Sequence, residues 1–445
     1  MKPVAAVVAC LSILALPCLA SARDCQVPKQ MSKAQKLPCV QAAGTAIEQP
    51  TVTAEQLQNG QDFNAADPTG SRFAYFTADD DVTCFFRPHY AFKSIKGKSL
   101  KFQCWHMTPA RAFFDEKGAS LTPADVKVVV AKNKDGENRA HLYDKNDAAN
   151  ANEIEADRFK VKYLLPPFPD HNTRYNEVFT EVAASRIMWL LGFPADHEYP
   201  AKSASCVGCS RDPFGDNLQA NKAALHDAPV TFPLVTVERE VTWDPIDPDD
   251  DETWSWKDAA SFYTGGQWTA EQRVNYDAYR LALSLFNYNN AIEIQNRIAC
   301  AEWKPGASDP KICTKPMIFV QDLGSTFGKS KSNIFGTNPR GSFSDWQPQT
   351  VFKNVATCEL RNTMEGPSNV LKQGQDLLVA RLARLDRESV KRIFTIARFG
   401  MMDQKQIKRL KSAGAADPAA AAIDEWTDTF MSRVAEIKTA QNCRM

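Results

Sequence analysis

The sequence predicts an α+β chain of two lobes, with strands crowding its first half and helices its second. Three observations carry that prediction. Short apolar or alternating runs bounded by turn residues fill residues 73–163 and 229–241, whereas apolar stripes at helical spacing dominate beyond residue 270. A single long helical pattern, residues 174–191, interrupts the strand-rich half. An acidic, proline-containing run at 245–252 reads as the linker between the halves. The expected divisions are a signal peptide over 1–22, an exposed N-terminal extension over 23–70, a strand-rich lobe over 71–242 and a helical lobe over 243–445.

The elements follow in order. Residues 1–22 carry Lys2, an apolar run from Val4 to Leu19 and a small-residue cleavage site at Ala20-Ser21-Ala22, the layout of a secretory signal. Residues 23–70 are polar and lack sustained periodicity. Strands are expected at Phe73–Phe76, Val82–Arg87, Leu100–Trp105 and Val126–Ala131, with a turn over 134–137 and an outward loop over 145–157. Residues Arg158 to Tyr163 alternate strictly, placing Phe159, Val161 and Tyr163 on one face and Arg158, Lys160 and Lys162 on the other. In the 174–191 helix, Val178, Val182, Ala183, Ile187, Leu190 and Leu191 form an apolar stripe, and Gly192 ends it. Helices are expected near 270–287, 370–384, 387–399 and 420–440, and no internal repeat is visible.

Composition narrows the function classes. Lysine plus arginine and aspartate plus glutamate each number 53, so removal of the signal, which takes Lys2, leaves the mature chain near one negative charge. No basic stripe is interleaved with aromatics, which argues against nucleic acid. No later run approaches the ~18 apolar residues of a membrane span. The sequence therefore predicts a secreted or periplasmic protein without a membrane span. Signal removal also takes Cys10 and Cys18 and leaves ten of twelve cysteines, an even number that predicts disulfides in an exported chain. Neighbours in sequence give Cys25–Cys39, Cys84–Cys104, Cys206–Cys209 and Cys300–Cys313, with Cys358–Cys443 as the remainder. Closing the Cys300–Cys313 loop is worth roughly 3 kcal/mol in the chain-entropy model and ties one candidate site loop to the strand before Asp322.

Four segments carry candidate chemistry, and they occur in the order a nucleotide-phosphate enzyme requires. Lys160 and Lys162 share the polar face of a strand. Glu177 and Glu181 follow on one face of the next helix, spaced i,i+4. A strand lysine held by a helix glutamate aims an ammonium at nucleotide phosphates. The polar loop Asn287 to Arg297 comes third, where a general base and a second metal ligand would sit. Last, the apolar strand Met317–Val320 runs into Asp322-Leu-Gly324, a carboxylate at a glycine turn suited to magnesium. The alternative for Asp322 is an aspartate that satisfies loop amides. Which of Lys160 and Lys162 serves the phosphates is open.

Two of these segments resemble a family. Thr180-Glu181-Val-Ala-Ala-Ser-Arg-Ile-Met-Trp-Leu-Leu-Gly-Phe193, followed by Tyr199-Pro200, is similar to a helix of the atypical secretory-pathway kinases. Asp322-x-Gly-x-x-Phe327-Gly328 looks like their metal segment, and similar patterns occur in HipA-like bacterial kinases and a group of exported bacterial proteins. The resemblance covers roughly residues 158–330. It implies a two-lobed protein-kinase-like fold, ATP with Mg²⁺ or Mn²⁺, an ion pair between Lys162 and Glu181, and Asp322 as metal ligand. Gln295 or Asn296 stands where a second metal ligand is expected. Where the family carries a catalytic aspartate, an alignment anchored on Arg297 and Cys300 places Asn290, which cannot take up a proton usefully. Glu293 is the possible stand-in. No glycine-rich loop precedes Lys162.

The resulting expectation is an exported kinase-like protein with weak or no phosphoryl transfer, its acceptor a protein or a carbohydrate. The alternative is a non-catalytic secreted binding or structural protein stabilised by disulfides. Other motifs fall short. Gly324 to Ser330 is one residue short of a phosphate loop, which fixes its amide cradle by spacing. Cys206-Val-Gly-Cys209 lacks a second sequence pair for zinc and reads as a local disulfide, with a redox-active pair as the minor alternative. The six histidines are scattered, and no Gly-x-Ser-x-Gly elbow is present.

Overall fold

The computed structural model of the protein describes residues 25–27, 33–52, 56, 76–88, 100–107, 113–114, 120–132, 138–154, 157–164, 176–213, 226–239, 241, 243–246, 254–288, 296–306, 311–328, 341–362, 364, 366–441 and 443. The expected signal peptide, the turn over 134–137 and the polar loop over 289–295 lie outside these residues.

Five strands close into a barrel: Asp81–Arg87, Lys101–His106, Arg158–Lys162, His197–Gly208 and His226–Arg239. Four of the five pairings are antiparallel; the parallel one, between Asp81–Arg87 and His197–Gly208, completes the ring. Closure leaves the ring without an unpaired edge. Strand alternation sends Phe102, Phe159, Val161, Tyr199, Val235 and Val237 into the barrel interior, where they form one apolar core with Cys84, Cys104, Cys206 and Cys209. The opposite faces of the same strands carry Lys101, Lys160, Lys162, Thr236 and Glu238. The alternation expected for residues 158–163 is present, but its polar face is covered at Lys162 while Arg158 stays exposed.

The cover is the helix Glu177–Leu190, in which every residue from Glu177 to Trp189 is buried. Only part of that burial is the apolar stripe read from the sequence. Val178, Val182 and Ile187 belong to a large second core, while Trp189 reaches the barrel core. The Thr236 hydroxyl donates to the Val178 carbonyl at 2.6 Å, fixing the helix against the barrel wall.

The large core is built by the helices Trp256–Thr264, Ala270–Leu285, Lys372–Leu382, Arg387–Ile396 and Pro418–Thr439. Their starts obey local chemistry. Thr269 and Gln272 form a reciprocal capping box, and Asp417 accepts from Ala419 and Ala420 with Pro418 in the first turn. A three-stranded sheet is formed by Asp244–Pro245, Asn296–Cys300 and Pro316–Val320, with Asn296 opposite Val320.

Residues 25–27 and 33–52 of the 23–70 extension are packed against the rest of the chain where the sequence reading expected exposure. Cys25–Val27 pairs antiparallel with Lys311–Cys313, and Gly44 bridges to Met317 on the Asp322 strand. Gln49 donates to the carbonyls of Leu190 and Arg381, both at 2.9 Å. A polar segment can pack this way because its partners are backbone carbonyls, which composition does not reveal. All five disulfides form: Cys25–Cys39, Cys84–Cys104, Cys206–Cys209, Cys300–Cys313 and Cys358–Cys443. Among the described residues, no helix is long and apolar enough to cross a membrane.

Candidate functional site

Barrel register sets two rows of polar side chains under the 177–190 helix. Lys162 lies opposite Lys101 on one side and Thr236 on the other; Lys160 lies opposite Gln103 and Glu238, and Glu238 lies opposite Glu198. Two glutamates directly opposed across a strand pair repel unless a cation sits between them. Lys162 is that cation. Its Nζ bonds Glu181, contacts a Glu238 carboxylate oxygen at 2.7 Å and donates to Glu198 at 3.3 Å. The other Glu238 oxygen accepts from Lys160.

Lys162 is 2% exposed and Glu181 fully buried, whereas Lys160 keeps 19% of its side chain in solvent. The two lysines left open by the sequence are thereby distinguished: Lys162 meets the helix glutamate, and Lys160 serves Glu238 from the rim. Burial disfavours the Lys162 ammonium, yet Glu181, Glu198 and Glu238, with Asp322 behind them, hold its pKa well above the usual lysine range. Burial, reinforced by Glu238, pushes the Glu198 carboxyl up to about 8 despite Lys162. Glu238 goes the other way: burial is outweighed by Lys160, Lys162 and Lys101, which hold it well below the usual carboxylate range. One oxygen of Glu181 and one of Glu198 are buried without a hydrogen-bond partner among the described residues.

The Asp322 segment enters from the three-stranded sheet. Val320 bridges in parallel to Ala195, just after the glutamate helix, so the strand is fixed against that helix's exit. An Asp322 oxygen accepts from the Gly324 amide at 2.9 Å, and Thr180 donates to the Gly324 carbonyl at 3.0 Å. Gly324 is required here. A Cβ on it would lie 2.8 Å from both Glu177 Cδ and Glu181 Oε1. Asp322 is close enough to Lys162 and Glu181 to act on both electrostatically. The far end of the segment is anchored in aromatic side chains. Phe327 holds a positive φ of 55°, donates its amide to the Phe286 carbonyl at 2.7 Å and packs against Phe286, Trp346, Phe399 and Trp426. A bulky residue in the left-handed region is held there by its surroundings.

One buried arginine ties the remaining parts together. Arg433, from the last helix, donates to the Leu285 carbonyl at 2.9 Å, the Asn287 side chain at 3.1 Å and the Trp346 carbonyl at 2.6 Å. Asn287 in turn donates to the Gly328 carbonyl at 3.2 Å. Burial lowers the Arg433 guanidinium to about 9. Asn290, Glu293 and Gln295 lie in the 289–295 loop, outside the described residues; its two ends, Tyr288 and Asn296, are both buried.

The structure thus brings Lys162, Glu181 and the Asp322 turn together around one helix. It adds Glu198 and Glu238, which the sequence reading did not single out. A signal existed for Glu238: it is the lone acid in the alternating apolar run Val235-Thr236-Val237-Glu238, on the face shared with Thr236. Glu198 had none, since its role depends on lying opposite Glu238. Among the described residues, the one set of three possible metal-ligating side chains at mutual ligand spacing is Cys84, Cys104 and Cys206. No protein-family model matches the chain, and no curated protein matches it.

Proposed function

We propose that this is an exported kinase-like protein that binds ATP with Mg²⁺ or Mn²⁺ where the barrel meets the helical part, and that it transfers phosphoryl groups weakly or not at all. The observation that carries the reading is the buried ion pair between Lys162 on the third barrel strand and Glu181 on the following helix, with the Asp322 turn hydrogen-bonded to that same helix. A strand lysine, a helix glutamate and a carboxylate after a later strand are the parts that orient phosphates and metal in a kinase fold. In this reading Lys162 orients phosphates, Glu181 positions Lys162, and Asp322 with Gln295 would hold the cation. Asn290 lacks a proton-accepting oxygen of useful basicity, and Glu293, three residues on in the sequence, is the stand-in base of this reading. Five disulfides and the N-terminal signal pattern fit export.

A second reading is favoured by a specific observation. An ammonium has three donors, and Glu181, Glu198 and Glu238 are three carboxylates that can take all of them. A lysine so saturated serves as a structural keystone in a secreted protein without catalysis. A thermal-shift titration separates the two. Saturating ATP with Mg²⁺ or Mn²⁺ raises the melting point in the first reading, because a ligand at a hundred times its dissociation constant adds about 2.7 kcal/mol. The rise disappears in Asp322→Ala. An unchanged melting point at millimolar nucleotide and metal selects the structural keystone. If nucleotide binds, phosphate transfer gained by Asn290→Asp identifies the missing base.

A further inference from the structure

Two of the five disulfides lie almost in contact inside the barrel. Cys84 and Cys206 are opposite each other on the parallel strand pair, and Cys104 comes from the other neighbour of the Cys84 strand. The Sγ atoms of Cys104 and Cys206 are 3.9 Å apart although these residues belong to different disulfides. The sulfurs of Cys84, Cys104 and Cys206 all lie within 4.8 Å of one another, and the three residues are fully buried. Two non-adjacent strands meet this closely because a five-stranded barrel is narrow.

The two bonds differ in what they hold. Cys84–Cys104 spans 20 residues and joins neighbouring strands, whereas Cys206–Cys209 spans 3 residues and closes a turn through Gly208 at φ +86°. So short a loop contributes little chain entropy, so its opening costs the fold least. Both of its cysteines are fully buried, and the chain becomes exposed two residues after Cys209, at Arg211.

We propose that these four cysteines form an exchange pair, in which opening of Cys206–Cys209 by an external dithiol moves the remaining disulfide from Cys84–Cys104 to Cys104–Cys206. In the first step the dithiol gives up two electrons and two protons and becomes a disulfide, leaving Cys206 and Cys209 as thiols. In the second step Cys206 loses its proton and its thiolate attacks Sγ of Cys104. The Cys104–Cys84 bond breaks, and Cys84 leaves as a thiolate that takes up a proton. The second step is redox-neutral. It replaces a bond between adjacent strands with a staple between the two strands that flank Asp81–Arg87.

The test uses the full chain carrying Cys209→Ser, which leaves Cys206 without its partner. The protein is trapped in acid, denatured, alkylated with a maleimide and mapped by peptide mass spectrometry. With two disulfide isomers of similar strain in equilibrium, about half of the molecules or more should carry the label on Cys84 and a Cys104–Cys206 cross-link. Label on Cys206 in essentially all molecules, with Cys84–Cys104 intact, overturns the proposal. Should this variant fail to fold, wild-type protein titrated with dithiothreitol and quenched in the same way decides the matter. The first species with two thiols should be labelled at Cys209 and Cys84; labelling at Cys209 and Cys206 without Cys84 refutes the exchange.

Discussion

Lys162 shows how much one buried charge can organise. Three carboxylates converge on its ammonium, and none of them is more than 4% exposed. Removing the cation therefore strands buried carboxyl groups, Glu238 among them as an anion. Lys162→Met should cost about 3–5 kcal/mol in urea unfolding, as for other broken buried pairs; a loss below about 1 kcal/mol would show that the carboxylates do not depend on it. Glu198 gives the pH dependence. Its carboxyl titrates near 8 in the folded chain and near 4.5 when unconstrained, so between those values the folded state holds a proton that the unfolded state has released. Its contribution to stability is fully present below pH 4.5 and is lost as pH rises towards 8. Glu198→Gln keeps a neutral amide at the same place and removes that slope. The variant should therefore gain stability relative to wild type by up to a few kcal/mol at pH 8.5 and little at pH 5. Parallel stability curves for the two proteins would rule this out.

The glutamate helix and the Asp322 segment act as a unit because Gly324 lets their backbones approach. Thr180 seals the contact on one side, and the aromatic cluster around Phe327 anchors the segment on the other. Gly324→Ala must push both Glu177 and Glu181 aside, an overpacking that should cost about 1–3 kcal/mol. Because Glu181 is one of the two groups displaced, any stabilisation by ATP and metal should fall along with intrinsic stability. A melting point equal to wild type would show that the helix yields freely. The same close approach explains why the 177–190 helix is buried on all sides while its sequence displays one apolar stripe. Of the polar remainder, Thr180 bonds the Gly324 carbonyl and Glu181 bonds the barrel lysine.

Across the whole molecule, the disulfides pin the segments that pair over long sequence distances. Cys358–Cys443 closes 85 residues, and the chain-entropy model gives it about 4.5 kcal/mol, against about 3 kcal/mol for the 14-residue Cys25–Cys39 loop. Paired serine replacements should therefore lower the denaturation midpoint more for 358 and 443 than for 25 and 39; the reverse order would place the stabilisation in local packing. The N-terminal segment belongs to this scale too. It adds a strand beside Cys313, and Ile47 donates to and Gln49 reaches across the exit of the glutamate helix. A chain beginning after residue 52 would lose these contacts.

Local pattern determined a good deal of this protein by itself. Alternation at 158–163, the stripe at 174–191 and the helical spacing beyond residue 270 each depend on neighbours a few residues apart, so strands, helices and even the disulfide neighbours were legible. The pairing of Lys162 with Glu181 was implied by the family resemblance, while strand alternation by itself left Lys160 and Lys162 open. Tertiary structure alone decided that the strands close into a ring, that a helix covers Lys162 on the outer face of its strand, and that Glu198 and Glu238 join it. Each of those depends on register between segments far apart in the chain, and a sequence period records which face a residue takes but not which strand lies beside it.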